Sequence, residues 1–470
     1  MTFNSLQFLV FFMVVTLWFF SLKNQKGRVL LLIIASCYFY MSFIPEYILI
    51  LGGTIIVDYL AGLQIEKSEG GRRKFWLILS LIANIGTLCV FKYYNFFIDN
   101  LHEGGAFFGM SISLPVLKMA LPLGLSFHTF QAMSYTIEVY RENQKAEKNF
   151  AVYALYVMFY PQLVAGPIER PQNVLPQLKE FRPYNWDNVK EGLARMLWGF
   201  YKKVVIADRL AMIVDRTYSH TNESSSLALF AGAFFYYFQI YCDFSGYSDI
   251  ALGAATVMNI RLIENFNQPF FSKSISEFWR KWHISLYSWF YDYVFNPLFF
   301  SLKSWGNYAI VLCLLITFFL SGFWHGATWH HIIYGLLMAV ALIYEYFTRE
   351  QRKKLFSKMP KALNNLLSMI LTFGFFIFAE IFFRSQTATA ACTYIKKILE
   401  LKGGSNYLGL DRMELLFSVL VIVIMLCREK LLPGHLINSN KRFYLYLFSM
   451  VLICYFFGVF AENQFIYFQF

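Results

Sequence analysis

Almost wholly apolar stretches of roughly 15 to 23 residues recur along this 470-residue chain, and that recurrence limits its fold more than any other feature. An α-helix needs about 20 apolar residues to cross the hydrocarbon core of a bilayer. The runs fall at residues 6–22, 29–44, 47–64, 75–97, 117–139, 151–165, 191–213, 227–243, 246–260, 307–323, 332–347, 362–383, 413–427 and 443–461. Composition agrees, with 57% hydrophobic and only 15% charged residues, where a soluble domain carries about 25% charged. A water-facing surface cannot be built from that mixture. The expected fold is an all-α polytopic membrane protein, a single membrane-embedded domain over residues 1–470 with about 11–14 transmembrane or re-entrant helices.

The first run has no basic residues before it and no small-residue cleavage site after it, so it reads as a membrane helix and not as a cleaved signal. The surplus of 12 positive charges gathers in loops, at 23–28, 67–74, 141–148, 349–361 and 428–442. Lysine and arginine mark cytoplasmic loops, and the alternation is consistent with both termini outside. Segment 384–412 breaks the pattern and reads as an interfacial helix or loop. No basic face alternates with soluble structure, which argues against a nucleic-acid partner. The seven cysteines form no CxxC pair and read as small buried hydrophobes.

Residues 321–331, SGFWHGATWHH, place three histidines between two apolar arms of about 17 and 16 residues. Gly322 and Gly326 bracket His325 and can break the helix there. Arms this short put the break inside the membrane thickness. Intramembrane ionisable residues are functional candidates, and burial favours the neutral imidazole. His325 is therefore the candidate general base for a hydroxyl proton. His330 and His331 are adjacent and five or six residues from His325, which is not the i, i+3 or i+4 spacing of helical ligands, so no metal site is expected. They are expected to hydrogen-bond at the cavity mouth.

Residues 274–297 read as one amphipathic helix, opened by the Ser274-x-x-Glu277 capping box and stopped at Asn296-Pro297. His283 borders its apolar stripe, and the spacing alone favours a satisfied core histidine. In YCDFSGYSDIALG (241–253), Asp243 and Asp249 are six apart, off one helical face. They read as hydrogen-bonding wall residues and not as a catalytic carboxylate pair. Glu138, Arg141, Glu169 and Arg170 read as similar structural partners. Segments 166–190 and 264–306 are neither clean spans nor clean linkers. Irregular backbone at membrane depth needs protein or a water-filled cavity around it, so both are expected to line a central funnel.

FWRKWHISLYSWFYDYVFNPL (278–298) followed by SGFWHGATW (321–329) resembles the membrane-bound O-acyltransferase family, and within it the bacterial branch that contains the alginate O-acetylases. LPLGLSFHTFQAMSYTIEVYR (121–141), FYPQLVAGPIERP (159–171), YCDFSGYSDIALG, FNQPFFSKSISEFW (266–279) and the terminal ENQFIYFQF (462–470) fit the same branch. The resemblance implies a ring of helices around a tunnel, a catalytic pair His325 and His283 with His325 essential, and no bound cofactor. Trp282, Ser285, Trp324, Asp243, Ser245 and Asn267 fall in these stretches and are the candidates for lining or supporting the tunnel. It implies transfer of an acyl group, acetyl foremost, from a cytoplasmic thioester (acetyl-CoA or an acyl-carrier protein) to an extracytoplasmic polysaccharide, completed by an extracytoplasmic acyltransferase partner. In that scheme His283 orients the acceptor or donates a hydrogen bond to the developing oxyanion. Two rivals stand beside it: D-alanyl transfer to teichoic acid, and a non-enzymatic transporter of lipid-linked sugar, which would show matching broken helices in two halves.

Overall fold

The computed structural model describes residues 1–110, 114–118, 121–356, 358–432, 434–435, 437–460 and 465–466. Most of the terminal stretch 462–470 lies outside the described residues. Among the described residues the secondary structure is helical, apart from one isolated bridge between Ser224 and Ser405. Among the described residues six helices are long and apolar enough to cross a membrane: Pro45–Lys67, Gly70–Phe107, Ser226–Val257, Asn307–His325, Trp329–Phe347 and Lys361–Arg384. Leu6–Ser21 is apolar but shorter, at 16 residues. The chain is a multi-pass, all-α membrane protein.

Two expected spans, 227–243 and 246–260, are one 32-residue helix, Ser226–Val257. The polar run from Asp243 to Asp249 looks like a break in sequence. It continues as helix because its side chains find partners within the protein. In this helix 78% of the apolar window is buried, against 17% in Gly70–Phe107, so its polar groups meet protein and not lipid.

The described chain groups into two compact units. The first holds Met1–Leu197, Tyr247–Ile263 and His435–Tyr446. Its membrane helices share a buried carboxylate. Asp58 Oδ1 accepts the Ser80 hydroxyl at 2.6 Å, and Asn84 Nδ2 donates to both Asp58 oxygens at 2.9 Å. Ser80 also contacts the Thr136 hydroxyl at 3.0 Å. An unpaired polar group in hydrocarbon costs several kcal/mol, and these bonds tie Ile48–Lys67, Gly70–Leu88 and Leu125–Tyr140 together. In segment 166–190, Pro171 opens a short helix, Pro171–Lys179. Buried Glu169 accepts Asn173 Nδ2 at 2.8 Å and Ile263 N at 2.5 Å. Asp249 accepts Arg195 Nε at 2.9 Å. Glu138 accepts the Asn143 and Gln172 amides.

The second unit holds Trp198–Gly246, Glu264–Gly434 and Leu447–Phe470. Asn307–His325 and Trp329–Phe347 run back against each other within it, 19 residues each, joined at Gly326, Ala327 and Thr328. Small residues let membrane helices approach closely. A Cβ on Gly322 would stand 2.4 Å from His331 O, and one on Gly335 would stand 2.2 Å from Phe318 O. A π-helical turn, Tyr201–Ala207, carries Lys202 and Lys203 inward, and both are buried. Segment 384–412 contains the helix Ala388–Leu399, whose N-cap Thr387 accepts Ala390 N.

Candidate active site

The segment expected as one helix over 274–297 is broken. The helix Ile275–Trp279 ends in a turn, His283 takes left-handed backbone (φ 44°, ψ 52°), and helix resumes at Ile284–Phe290. The start is as read: Ser274 Oγ accepts Glu277 N at 3.0 Å. The reciprocal half of the capping box is displaced, because Glu277 Oε2 accepts Lys273 N at 2.9 Å. Left-handed backbone on a non-glycine residue costs about 1–2 kcal/mol and persists only where the surroundings enforce it. Asn265 enforces it. Its carbonyl oxygen accepts Ile284 N at 2.9 Å. Its side-chain Oδ1 accepts Ser285 N at 3.3 Å and Ser285 Oγ at 2.9 Å, and lies 3.1 Å from His283 Nδ1. Strain of this kind clusters where a side chain must be aimed.

Asn265 was missed in sequence because nothing in its spacing sets it apart from its neighbours. Asn267 is exposed, and its backbone N–H donates to Lys281 O at 2.9 Å. Glu345 stands in no sequence motif. Its carboxylate accepts Ile275 N at 2.7 Å and Ser276 N at 3.0 Å, which fixes the start of the histidine segment to the helix Trp329–Phe347.

His325 closes the helix Asn307–His325, and Gly326 leaves it in extended backbone. A Cβ on Gly326 would stand 2.4 Å from His331 Nδ1, so a side chain here would have to displace the buried His331 ring. Thr328 stands at the N-cap position of the next helix without a side-chain cap bond, and its hydroxyl instead bonds His331 Nδ1 at 2.7 Å and His330 Nε2 at 3.2 Å. All three histidines are buried.

One indole joins the two candidate catalytic histidines. The Trp324 ring centroid is 4.9 Å from that of His325 and 6.2 Å from that of His283, edge-on to both. Phe244 closes the other side of His283 at 4.6 Å, and Phe383 packs 5.2 Å from His325. His283 is 1% exposed and His325 5%. His283 lies outside the six spans, and burial pushes its imidazole down to about 3, so the ring is neutral at ordinary pH. Trp282 is buried and stacks on Phe278 at 5.2 Å. Ser285 is fully buried on Asn265.

Asp243 and Ser245 belong to a separate polar cluster in the same unit. Lys203 Nζ is 2.5 Å from Asp243 Oδ1 and 2.9 Å from Asp208 Oδ1. Lys202 donates to Ser245 Oγ at 2.9 Å. Ile466 N donates to Asp243 Oδ2 at 2.7 Å.

A cavity of about 680 Å³ runs beside the histidine segment. One wall is a ladder of parallel rings at helical spacing: Tyr287 to Tyr291 at 6.4 Å, Tyr291 to Phe295 at 5.6 Å and Phe295 to Phe299 at 6.0 Å. The facing wall is Asn307–His325, with Leu314, Thr317 and Ser321 among the lining residues. Arg280, Arg349 and Arg352 also line it. Ser321 in its lining is four residues before His325 on the same helix, about 6 Å of axial rise, while His283, Trp324 and His325 themselves are not lining residues. The arrangement pairs an apolar slot and cationic side chains with two buried imidazoles that can take or hold a proton.

The model of the membrane-bound O-acyltransferase family matches residues 66–384. The chain is 37% identical to the probable alginate O-acetylase AlgI of Pseudomonas aeruginosa, over 83% of this chain and 73% of that protein. It is 32% identical to the peptidoglycan O-acetyltransferase of Helicobacter pylori, over 95% of this chain and 92% of that one. It is 29% identical to the teichoic acid D-alanyltransferase of Bacillus subtilis, over 55% of this chain and 68% of that one. A family match that spans both histidines and Trp324, with relatives alike over most of their length, leads to one conclusion: the chain belongs to the membrane-bound O-acyltransferase family.

Proposed function

We propose that this enzyme takes an acetyl group from a cytoplasmic thioester, acetyl-CoA or an acyl-carrier protein, and passes it across the plasma membrane for O-acetylation of an extracytoplasmic polysaccharide. The observation that carries this reading is the cavity with three arginines in its lining and an aromatic ladder along it, one of whose lining residues, Ser321, is one helical turn before His325. Arg349 and Arg352 belong to the largest basic cluster, which the positive-inside rule assigns to the cytoplasm. Their charge suits a phosphorylated or acidic donor, and the ring-lined slot suits its uncharged arm.

His325 takes the proton of the acceptor hydroxyl as its oxygen attacks the thioester carbonyl. The C–S bond then breaks, and the leaving thiolate takes the proton back from His325. Burial around Trp324 keeps water from intercepting the acyl group. A partner protein outside the membrane completes delivery to the polymer. The transporter reading is set aside by the family. D-alanyl transfer is the second reading, supported by the relative from Bacillus subtilis; the higher identity and coverage of the O-acetylases favour acetyl.

The test is transfer of labelled acetyl or labelled D-alanine by membranes that carry the protein. Acetyl label should appear in polymer with wild type and fall about 10²- to 10⁴-fold with His325→Ala at unchanged thermal stability. Wild-type transfer by His325→Ala removes His325 from the reaction, and label from D-alanine alone replaces the acyl group.

A further inference from the structure

We infer that Asn265 commits His283 to the tautomer with its proton on Nδ1, so that His283 meets the substrate through Nε2 as a hydrogen-bond acceptor. Asn265 is then a positioning residue for the transfer. This rests on the acyl-transfer reading above and specifies what the second histidine does in it.

The tautomer depends on which atom of the amide faces the ring. Asparagine oxygen and nitrogen are easily exchanged, and the hydrogen-bond network decides between them. The Ser285 backbone N–H lies 3.3 Å from the Asn265 atom that meets His283. A backbone N–H can only donate, so that atom is the oxygen. The Ser285 hydroxyl, 2.9 Å away, completes the set. An amide oxygen can only accept, so the His283 Nδ1 facing it at 3.1 Å carries a proton. A neutral imidazole has one N–H, so Nε2 holds the lone pair.

This tautomer settles a choice open to a histidine in this place. A neutral His283 with its proton on Nδ1 has no hydrogen to offer a developing oxyanion through Nε2. It can receive one. The group it meets is therefore a donor, a hydroxyl of the acyl acceptor, held while His325 performs the transfer. The left-handed backbone at His283 belongs to the same device, because Asn265 holds Ile284 N with its carbonyl and the ring with its side chain.

The test reads the ring without turnover. In full-length protein in nanodiscs, labelled with ¹⁵N-histidine, the His283 signal is assigned by its loss in His283→Gln among the eight histidines. At neutral pH its Nδ1 should show the shift and one-bond coupling of a protonated nitrogen, and Nε2 the shift of a bare one. A proton on Nε2 overturns the inference. Kinetics give a second arm that needs no His283 variant. Asn265→Asp keeps the oxygen acceptor and adds charge that favours the imidazolium, so the acid limb of the kcat profile should move to higher pH. Asn265→Ala should lower kcat about ten- to hundredfold with little change in donor KM, the range for loss of a ring-orienting partner. An unmoved pH profile in the first and unchanged kcat in the second sink the role of Asn265. Absence of acyl transfer by wild type sinks the function and leaves the nitrogen assignment readable.

Discussion

Gly322 and Gly335 meet where the two helices around His325 cross: a Cβ on Gly322 would stand 3.1 Å from the Gly335 Cα, and one on Gly335 would stand 3.1 Å from the Gly322 Cα. The contact is backbone on backbone, so no side chain can rotate away. Gly335→Val should therefore push Asn307–His325 off Trp329–Phe347 and move His325 with it. Overpacking costs about 1–3 kcal/mol, and backbone contact puts this case at the upper end. Lower melting temperature in detergent and loss of acyl transfer are expected together. Full activity with unchanged melting would show that the crossing does not hold His325.

Trp324 touches both candidate histidine rings, so its size should matter more than its chemistry. Trp324→Phe retains a ring and should keep most activity. Trp324→Ala leaves a void between the histidines, and a displacement of about 1 Å at reacting groups costs up to a hundredfold in rate. Steady-state kcat for the two variants, beside their thermal melts, separates the effects. Equal loss in both would point to the indole N–H and not to ring packing.

Charge should matter in the cavity lining. Arg280 and Arg349 line it and are exposed. Arg352 is already engaged, with Nη1 3.9 Å from Glu345 Oε1 and Nη2 donating to Glu345 O at 3.0 Å. Arg280→Gln and Arg349→Gln should each raise KM for an anionic thioester about fivefold, since exposed pairings contribute up to about 1 kcal/mol. kcat should hold, and the wild-type advantage should shrink as salt rises. A change in kcat with constant KM would place the donor elsewhere.

The parts of this fold that lipid dictates could be read from the chain. Apolar runs of membrane length mark the helices, and a histidine between glycines marks the turn after His325, because neither depends on distant residues. What escaped the reading depends on partners far along the chain. Ser274, Glu277 and the aromatic spacing describe an unbroken helix, and only Asn265, 18 positions away from His283, reveals the left-handed break. The polar run after Asp243 suggested an interruption because Lys202 and Lys203 are remote in sequence. Glu345 looked like a stray charge because its partners are backbone N–H groups, which carry no sequence signature.

The lysine cluster supplies the sharpest stability prediction. Lys203 is the cation between Asp208 and Asp243, and all three side chains are 3% exposed or less. Removing one partner of a buried ion pair costs about 3–5 kcal/mol, because the remaining charge has lost its compensation. Lys203→Met leaves two carboxylates facing each other and should sharply lower melting temperature and yield. The triple variant Lys203→Met, Asp208→Asn, Asp243→Asn removes the stranded charges as well. It should recover much of the loss, although Asp243 also accepts Ile466 N, so an amide must be able to keep that bond. Thermal melts of the single and triple variants decide the matter. If Lys203→Met alone melts like wild type, the cluster is not holding this part of the fold together. If the triple variant melts as low as the single, specific geometry at Asp243 outweighs charge balance.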